Sequence, residues 1–280
     1  MLSTRIVTAL IAVAVVLSAL FLLPPRGFAV ALLVVVGAAA REWSALARLG
    51  AAGSIVFVGV VLLAGGGLIL AGAGSGAASF TRIALAVCSV ATLFWVLVAT
   101  PWVVRRWPPR SGIALALSGW IVLLGAFVAL VELDARSPWL VLAAMAIVWI
   151  ADIAAYFSGR AFGRHKLAPL VSPGKTWEGV YGALAAVGLY SLCLVPLAHG
   201  VGYAGAVEPR TVAAWLAFAV AVAALSVVGD LFESWLKRNA GVKDSGRLLP
   251  GHGGVLDRID ALLAAMPPVA LAALLALPPA

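Results

Sequence analysis

An all-α polytopic integral membrane protein, with about nine transmembrane helices and its N-terminus in the cytoplasm, is predicted by three observations. First, 64% of the 280 residues are hydrophobic and only 11% are charged, where a soluble domain carries about 25% charged residues. Second, the apolar residues fall into runs near the ~20 residues that a bilayer core requires. Third, basic residues alternate from loop to loop. With the N-terminus inside, 15 of the 19 Lys and Arg face the cytoplasm and 4 face the other side, a strong positive-inside asymmetry. The net charge of +8 therefore points to the cytosol and anionic lipid headgroups, not to nucleic acid.

The spans run roughly 4–23, 28–47, 54–73, 81–100, 112–131, 139–158, 179–198, 211–230 and 260–279. The first has a weak basic flank at Arg5 and a long apolar run, so it reads as an uncleaved span and not as a signal peptide. The last contains Pro267 and Pro268 and is expected to be kinked or short. Cys88 and Cys193 both lie in apolar runs and read as buried small hydrophobes, not a metal pair or a disulfide.

Residues 1–137 offer little chemistry and are read as transmembrane scaffold, homodimer contact and lipid access. The small-residue stretches 64–67 and 71–76 suit close helix packing or a turn at a span end. Trp43, Trp95, Trp102, Trp107 and Trp120 read as an aromatic belt near the membrane interfaces. Residues 138–280 are read as the catalytic region, with polar cytoplasmic loops at 159–178 and 231–259.

Chemistry concentrates between Ser226 and Asp260. This stretch holds Asp230, Glu233, Asp244, Asp257 and Asp260, with Lys237, Arg238, Lys243, Arg247, Arg258 and His252. If the eighth span continues as helix, Asp230, Glu233, Ser234 and Lys237 fall at i, i+3, i+4 and i+7, on one face. A loop rich in glycine follows, and Asp257 and Asp260, again at i and i+3, open the last span. Carboxylates bind hard cations such as Mg²⁺. Lysines, arginines and backbone amides bind phosphate. Two acidic helix faces joined by a basic, glycine-rich loop thus suggest metal-assisted phosphoryl or nucleotidyl transfer. A merely solvated loop has no need of such paired acids.

A second stretch, Ala151 to Gly179, puts Asp152 and Tyr156 one helical turn apart at the end of the sixth span. An acid there is costly without a partner. Pro173-Gly174 makes a turn, and Lys175 with the hydroxyls of Ser172 and Thr176 suits phosphate oxygens. The run Gly174-Lys175-Thr176 is not a P-loop: the upstream glycine and the strand–loop–helix setting are missing.

The 27 positions from Ser234 to Asp260 resemble the signature of the phosphatidate cytidylyltransferase (CDP-diacylglycerol synthase) family. They match at Ser234, Leu236, Lys237, Arg238, Lys243, Asp244, Gly246, Leu249, Pro250, His252, Gly253, Gly254, Val255, Asp257, Arg258, Ile259 and Asp260. The second stretch resembles another block of the same family. It retains Asp152, Tyr156, Gly159, Arg160, Gly163, Ser172, Pro173, Lys175, Thr176, Glu178 and Gly179. Ile153, Ala154 and Gly174 depart from its usual Thr, Gly and Lys.

The resemblance implies that CTP and phosphatidic acid give CDP-diacylglycerol and pyrophosphate, within phospholipid biosynthesis at a bacterial-type inner membrane. It implies Mg²⁺ or another hard divalent cation, with the membrane lipids as surroundings. On that reading Asp230 and Asp257 are the principal metal ligands, and Glu233 and Asp260 assist them or orient Lys237 and Arg258. Lys237, Arg238, Lys243 and Arg258 bind phosphates. Asp244 fixes Lys243 or meets the nucleotide, and Gly253 and Gly254, with His252 nearby, permit close backbone approach. Two alternatives stay open. One is a related CTP-dependent membrane enzyme acting on another lipid, such as a polyprenol kinase. The other is a secondary transporter, which also carries intramembrane acids but usually in repeated halves near the midplane.

Overall fold

A computed structural model describes residues 2–75, 78–105, 111–200, 208–249, 251 and 253–276. Nearly all of them are helical. The helices are α1 (Leu2–Leu22), α2 (Pro25–Leu46), α3 (Ala51–Leu70), α4 (Ala78–Leu93), α5 (Thr100–Arg105), α6 (Gly112–Arg136), α7 (Pro138–Phe162), α8 (Trp177–Gly200), α9 (Pro209–Ala240) and α10 (Leu256–Ala276). A π-helical segment, Phe94–Ala99, joins α4 to α5. Among the described residues, eight helical stretches are long and apolar enough to cross a membrane, and α1 carries a shorter apolar stretch, Leu10–Leu22. They coincide with the nine expected spans. Without water in the bilayer core, helices keep every backbone group paired within the segment.

Differences from expectation are local. α9 does not stop near residue 230 but runs to Ala240, 32 residues in all. At 1.5 Å per residue it is about 48 Å long, well beyond the ~30 Å hydrocarbon thickness. The Asp230–Lys237 face lies on the C-terminal part of this one continuous helix. α10 is helical through Pro267 and Pro268, both buried. The loop after α7 contains an antiparallel hairpin, β1 (Lys166–Ala168) with β2 (Ser172–Thr176), that runs directly into α8. Its strands are too short and polar to show a period. Cys88 is buried but Cys193 is exposed on the outer face of α8.

The tryptophans also differ. Trp43, Trp95 and Trp102 are buried and ring Phe232 of α9 at centroid distances of 6.2, 5.6 and 5.8 Å. Trp120 stacks on Phe57 at 5.7 Å, and Trp107 lies outside the described residues. These rings form a core behind the polar face of α9. Trp139 and Trp177, exposed at helix starts, have the belt positions.

One end of the bundle gathers the polar connections. Arg48, after α2, donates to the Asn239 carbonyl at the end of α9 (2.8 Å). Arg238 donates to the Val171 carbonyl of the hairpin turn (3.2 Å). Gly241 ends α9 in the left-handed conformation, φ 75°, and the Val242 amide returns to the Lys237 carbonyl (2.9 Å). A residue with a Cβ adopts that φ only at a cost.

Candidate active site

The continued helix of α9 sets Asp230, Glu233, Ser234 and Lys237 along one face, as the spacing predicts. Ser234 Oγ donates to Asp230 Oδ1 (3.3 Å). Lys237 Nζ pairs with Glu233 one turn back and with Asp257 Oδ1 of α10 at 2.6 Å. This triad is closed to solvent: the three side chains are 12%, 3% and 6% exposed. A buried ammonium between two carboxylates is held in one geometry, because losing either partner leaves charge unmatched.

The other oxygen of Asp257 organises the loop. Oδ2 accepts from the Ser245 amide (2.9 Å), the Gly254 amide (2.8 Å) and Ser245 Oγ (3.0 Å). A second carboxylate works beside it, from a distant part of the chain. Glu42 of α2 accepts from the Val255 amide (3.0 Å), the Leu256 amide (2.8 Å) and Ser245 Oγ (2.9 Å). The amides that open α10 therefore point at two protein carboxylates, as a helix N-terminus favours. A Cβ on Gly246 or Gly254 would collide with the Glu42 carboxyl group. Glycine is required at both because an acid lies against the backbone.

α9 and α10 cross at Gly229. A Cβ there would come within 2.6 Å of the Asp260 carbonyl and 3.2 Å of Ala261 Cα. The crossing brings Asp230 and Asp260 near enough to repel electrostatically, and Asp152 of α7 lies near enough to Asp230 to do the same. Asp260 Oδ1 accepts from the Ala261 amide (2.8 Å). The cation in this group is Lys175 of β2, paired with Asp230. Here the side chains stay open, 25% and 29% exposed.

Thr176 is buried. Its Oγ1 accepts from the Gly179 amide (3.2 Å) and packs against Gly159 and Gly163, so its hydroxyl caps α8. Glu178 ties the hairpin to α8 by accepting from the His165 amide (3.2 Å) and meeting its Nδ1 at 2.6 Å. Tyr156 is exposed on the flank of α7, where its hydroxyl accepts from Arg160 (3.0 Å). Asp152 is exposed one turn away.

The remaining expected residues spread over the loop surface. Arg238 holds the Val171 and Val242 carbonyls (3.2 and 3.3 Å). Lys243, Asp244 and Arg258 are exposed, and Ser172 is half-buried. Gly253 has φ 84°, and its carbonyl accepts from the Leu249 amide (2.9 Å), closing a tight turn. His252 lies outside the described residues. Two participants went unforeseen, Glu42 and Ser245. The signal for Glu42 was an acid inside an apolar span, a functional candidate by default.

Among the described residues no group of three or more His, Cys, Asp or Glu is arranged to hold a metal ion. Mg²⁺ is usually bound by one or two carboxylates together with waters and substrate phosphates, so a cluster of three is not required for it. Asp230 and Asp260 are drawn together beside Lys175, which pairs with Asp230. Glu233 and Asp257 instead grip Lys237.

Residues 3–276 match the model of a family described as "Cytidylyltransferase family". A phosphatidate cytidylyltransferase of Pseudomonas aeruginosa is 43% identical over 281 residues, covering 95% of each chain. One of Haemophilus influenzae is 37% identical over 287 residues, covering 95% of this chain and 96% of the relative. One of Thermotoga maritima is 45% identical over 119 residues, 42% of this chain and 43% of the relative.

Proposed function

The chain belongs to the cytidylyltransferase family, and on that premise we propose that the crossing of α9 and α10 joins CTP to phosphatidate. An oxygen of the lipid phosphate attacks the α-phosphorus of CTP. The new P–O bond makes CDP-diacylglycerol, and the bond to the β-phosphate breaks to release pyrophosphate. Both reactants are anionic, so the main barrier is charge repulsion. The lipid phosphate is already largely ionised near neutral pH and needs no strong base.

The observation that carries this reading is the unequal pair of lysine clamps. Lys175 is held by one carboxylate and is open to solvent, so an arriving phosphate can draw it from Asp230. Lys237 is enclosed by two carboxylates that outweigh its charge, so it locks α9 to α10 and does not itself meet a phosphate. A site held rigid in this way keeps its other cations preorganised for a phosphoryl transition state. Asp230 and Asp260, aided by Asp152, are the residues that would hold Mg²⁺, which when bound neutralises phosphate charge. Exposed Asp152 and Tyr156 on the flank of α7 leave a side for the lipid to enter from the bilayer. Lys243 and Arg258 meet the phosphates from the loop side.

The asymmetry of Lys and Arg supports an inner-membrane protein with this end in the cytoplasm, where CTP is found. Residues 138–280 carry the reacting groups and residues 1–137 the scaffold, with Glu42 as the scaffold's contribution to the site. Pyrophosphate release by the purified protein with Mg²⁺, CTP and phosphatidate, omitting each in turn, tests the reading. Release is expected only with all three, with CDP-diacylglycerol as co-product. Conversion of CTP and a polyprenol to CDP and polyprenyl phosphate, with no turnover of phosphatidate, would move the activity to another lipid; no turnover in any combination from folded protein would overturn it.

A further inference from the structure

We propose that Glu42 is a positioning residue for this reaction: from α2 it fixes the 245–256 loop so that Asp257 presents one oxygen to Lys237. The inference rests on the reading of the α9–α10 crossing as the site of cytidylyl transfer.

α10 lacks a local side-chain cap at its start. Helix starts are normally capped by Ser, Thr, Asp or Asn just before the first turn. Val255 stands there, and its side chain offers no acceptor. The first amides, of Val255 and Leu256, go instead to Glu42, more than 200 residues away in sequence. Burying a carboxylate is costly, and among the described ion pairs none includes Glu42. Among the described residues, its oxygens meet backbone amides at the α10 N-terminus and the Ser245 hydroxyl. A local serine would cap the helix at less cost, so capping alone does not account for it.

Ser245 connects the two acids. Its Oγ lies 2.9 Å from Glu42 Oε2 and 3.0 Å from Asp257 Oδ2, and accepts from the Asp257 amide (3.3 Å). A hydroxyl has one proton and donates to one acid at a time. Glu42 therefore influences both the loop backbone and the donors that Asp257 Oδ2 receives, and thereby where Oδ1 holds Lys237. α2 is a firm base for this. Trp43, the next residue, donates to the Leu115 carbonyl (2.9 Å) and stacks on Phe232 of α9, so Glu42 is indexed to the helix that carries Lys237.

The test uses Glu42→Gln in the full-length protein in lipid nanodiscs. The glutamine is isosteric, but its amide nitrogen is a donor, and each carboxyl oxygen of Glu42 faces a backbone N–H donor. The expected result is kcat lowered about 10- to 100-fold, as for loss of a partner that orients an active-site ligand, with KM for CTP and for phosphatidate within about twofold of native. A readout independent of activity is amide hydrogen exchange. Ser245 and Gly254 donate to Asp257, not to Glu42, yet their exchange is expected to quicken about tenfold while α6 and α8 are unchanged. Native exchange at these two amides in Glu42→Gln would overturn the proposal, as would a native kcat. If Glu42→Gln fails to fold, Glu42→Asp, which keeps the charge one methylene short, is read by the same two criteria. If the wild-type protein lacks the CTP- and phosphatidate-dependent activity, the functional reading fails, and the exchange experiment still decides whether Glu42 positions Asp257.

Discussion

Two lysines at the same end of the bundle make the most instructive comparison. Lys237 lies between Glu233 and Asp257 with all three side chains nearly closed to solvent, while Lys175 meets Asp230 alone, with about a quarter of each side chain open. The first belongs to the rigid crossing of α9 and α10. The second comes from a short hairpin attached to α8. A buried charge with two partners is part of the scaffold, because removing any member strands the others. A partly exposed pair contributes little to stability and is free to exchange partners. This end of the bundle thus combines a fixed ion-pair lock with an exchangeable clamp.

The largest effect should come from the acid that joins the exchangeable lysine to the crossing. Asp230→Asn is expected to lower kcat by about 10³-fold or more while the protein still inserts and stays monodisperse. Steady-state pyrophosphate release checks this, and turnover within tenfold of wild type would remove Asp230 from the reacting centre. Lys237→Met should come next, and mainly in stability. Glu233 and Asp257 would keep charge with no cation, at a cost of about 3–5 kcal/mol, read as a lower thermal midpoint in detergent. An unchanged midpoint would erase the distinction between the two clamps.

Lys175→Met should do the reverse. Stability should change by less than about 1 kcal/mol, while KM for CTP rises about tenfold, the size of one lost charge-assisted contact. If the thermal midpoint drops as far as for Lys237→Met, the hairpin lysine is structural as well.

The sequence was most legible where the solvent makes the rule. Apolar runs of membrane length predict spans because hydrocarbon leaves the backbone no alternative to a helix or a closed barrel. The same rule ended α9 too early. Hydropathy detects hydrocarbon, not helix, and it cannot see a helix continuing from Asp230 to Ala240, where Leu231 to Leu236 are buried within the bundle. Tryptophan was ambiguous in a similar way, since Trp43, Trp95 and Trp102 serve the core as readily as an interface. In the site, the i, i+3, i+4, i+7 spacing set Asp230, Glu233, Ser234 and Lys237 on one face, and the structure keeps them there. Partnership across elements was not legible. No local spacing joins Lys237 to Asp257, Lys175 to Asp230, or Glu42 to Leu256, because those pairs arise from helix crossings. The loop glycines were legible as close approach, but Gly246 and Gly254 make room for Glu42, a residue of the supposedly inert half.

Thr176 gives the smallest and sharpest test of the hairpin. Sequence alone suggested that its hydroxyl holds a phosphate oxygen. In the structure the hydroxyl is buried, accepts from the Gly179 amide at 3.2 Å and lies against Gly159 and Gly163. Thr176→Val keeps the shape and the methyl contact but removes the acceptor. Loss of a helix cap costs about 1 kcal/mol, so a modest drop in thermal midpoint is expected with KM for CTP near native. The opposite pattern, a native midpoint with KM raised tenfold, would mean that the hairpin reorganises when nucleotide binds and turns Thr176 toward the phosphates. In that event Lys175 and Thr176 would move together, and the exchangeable clamp would be the whole hairpin rather than one side chain.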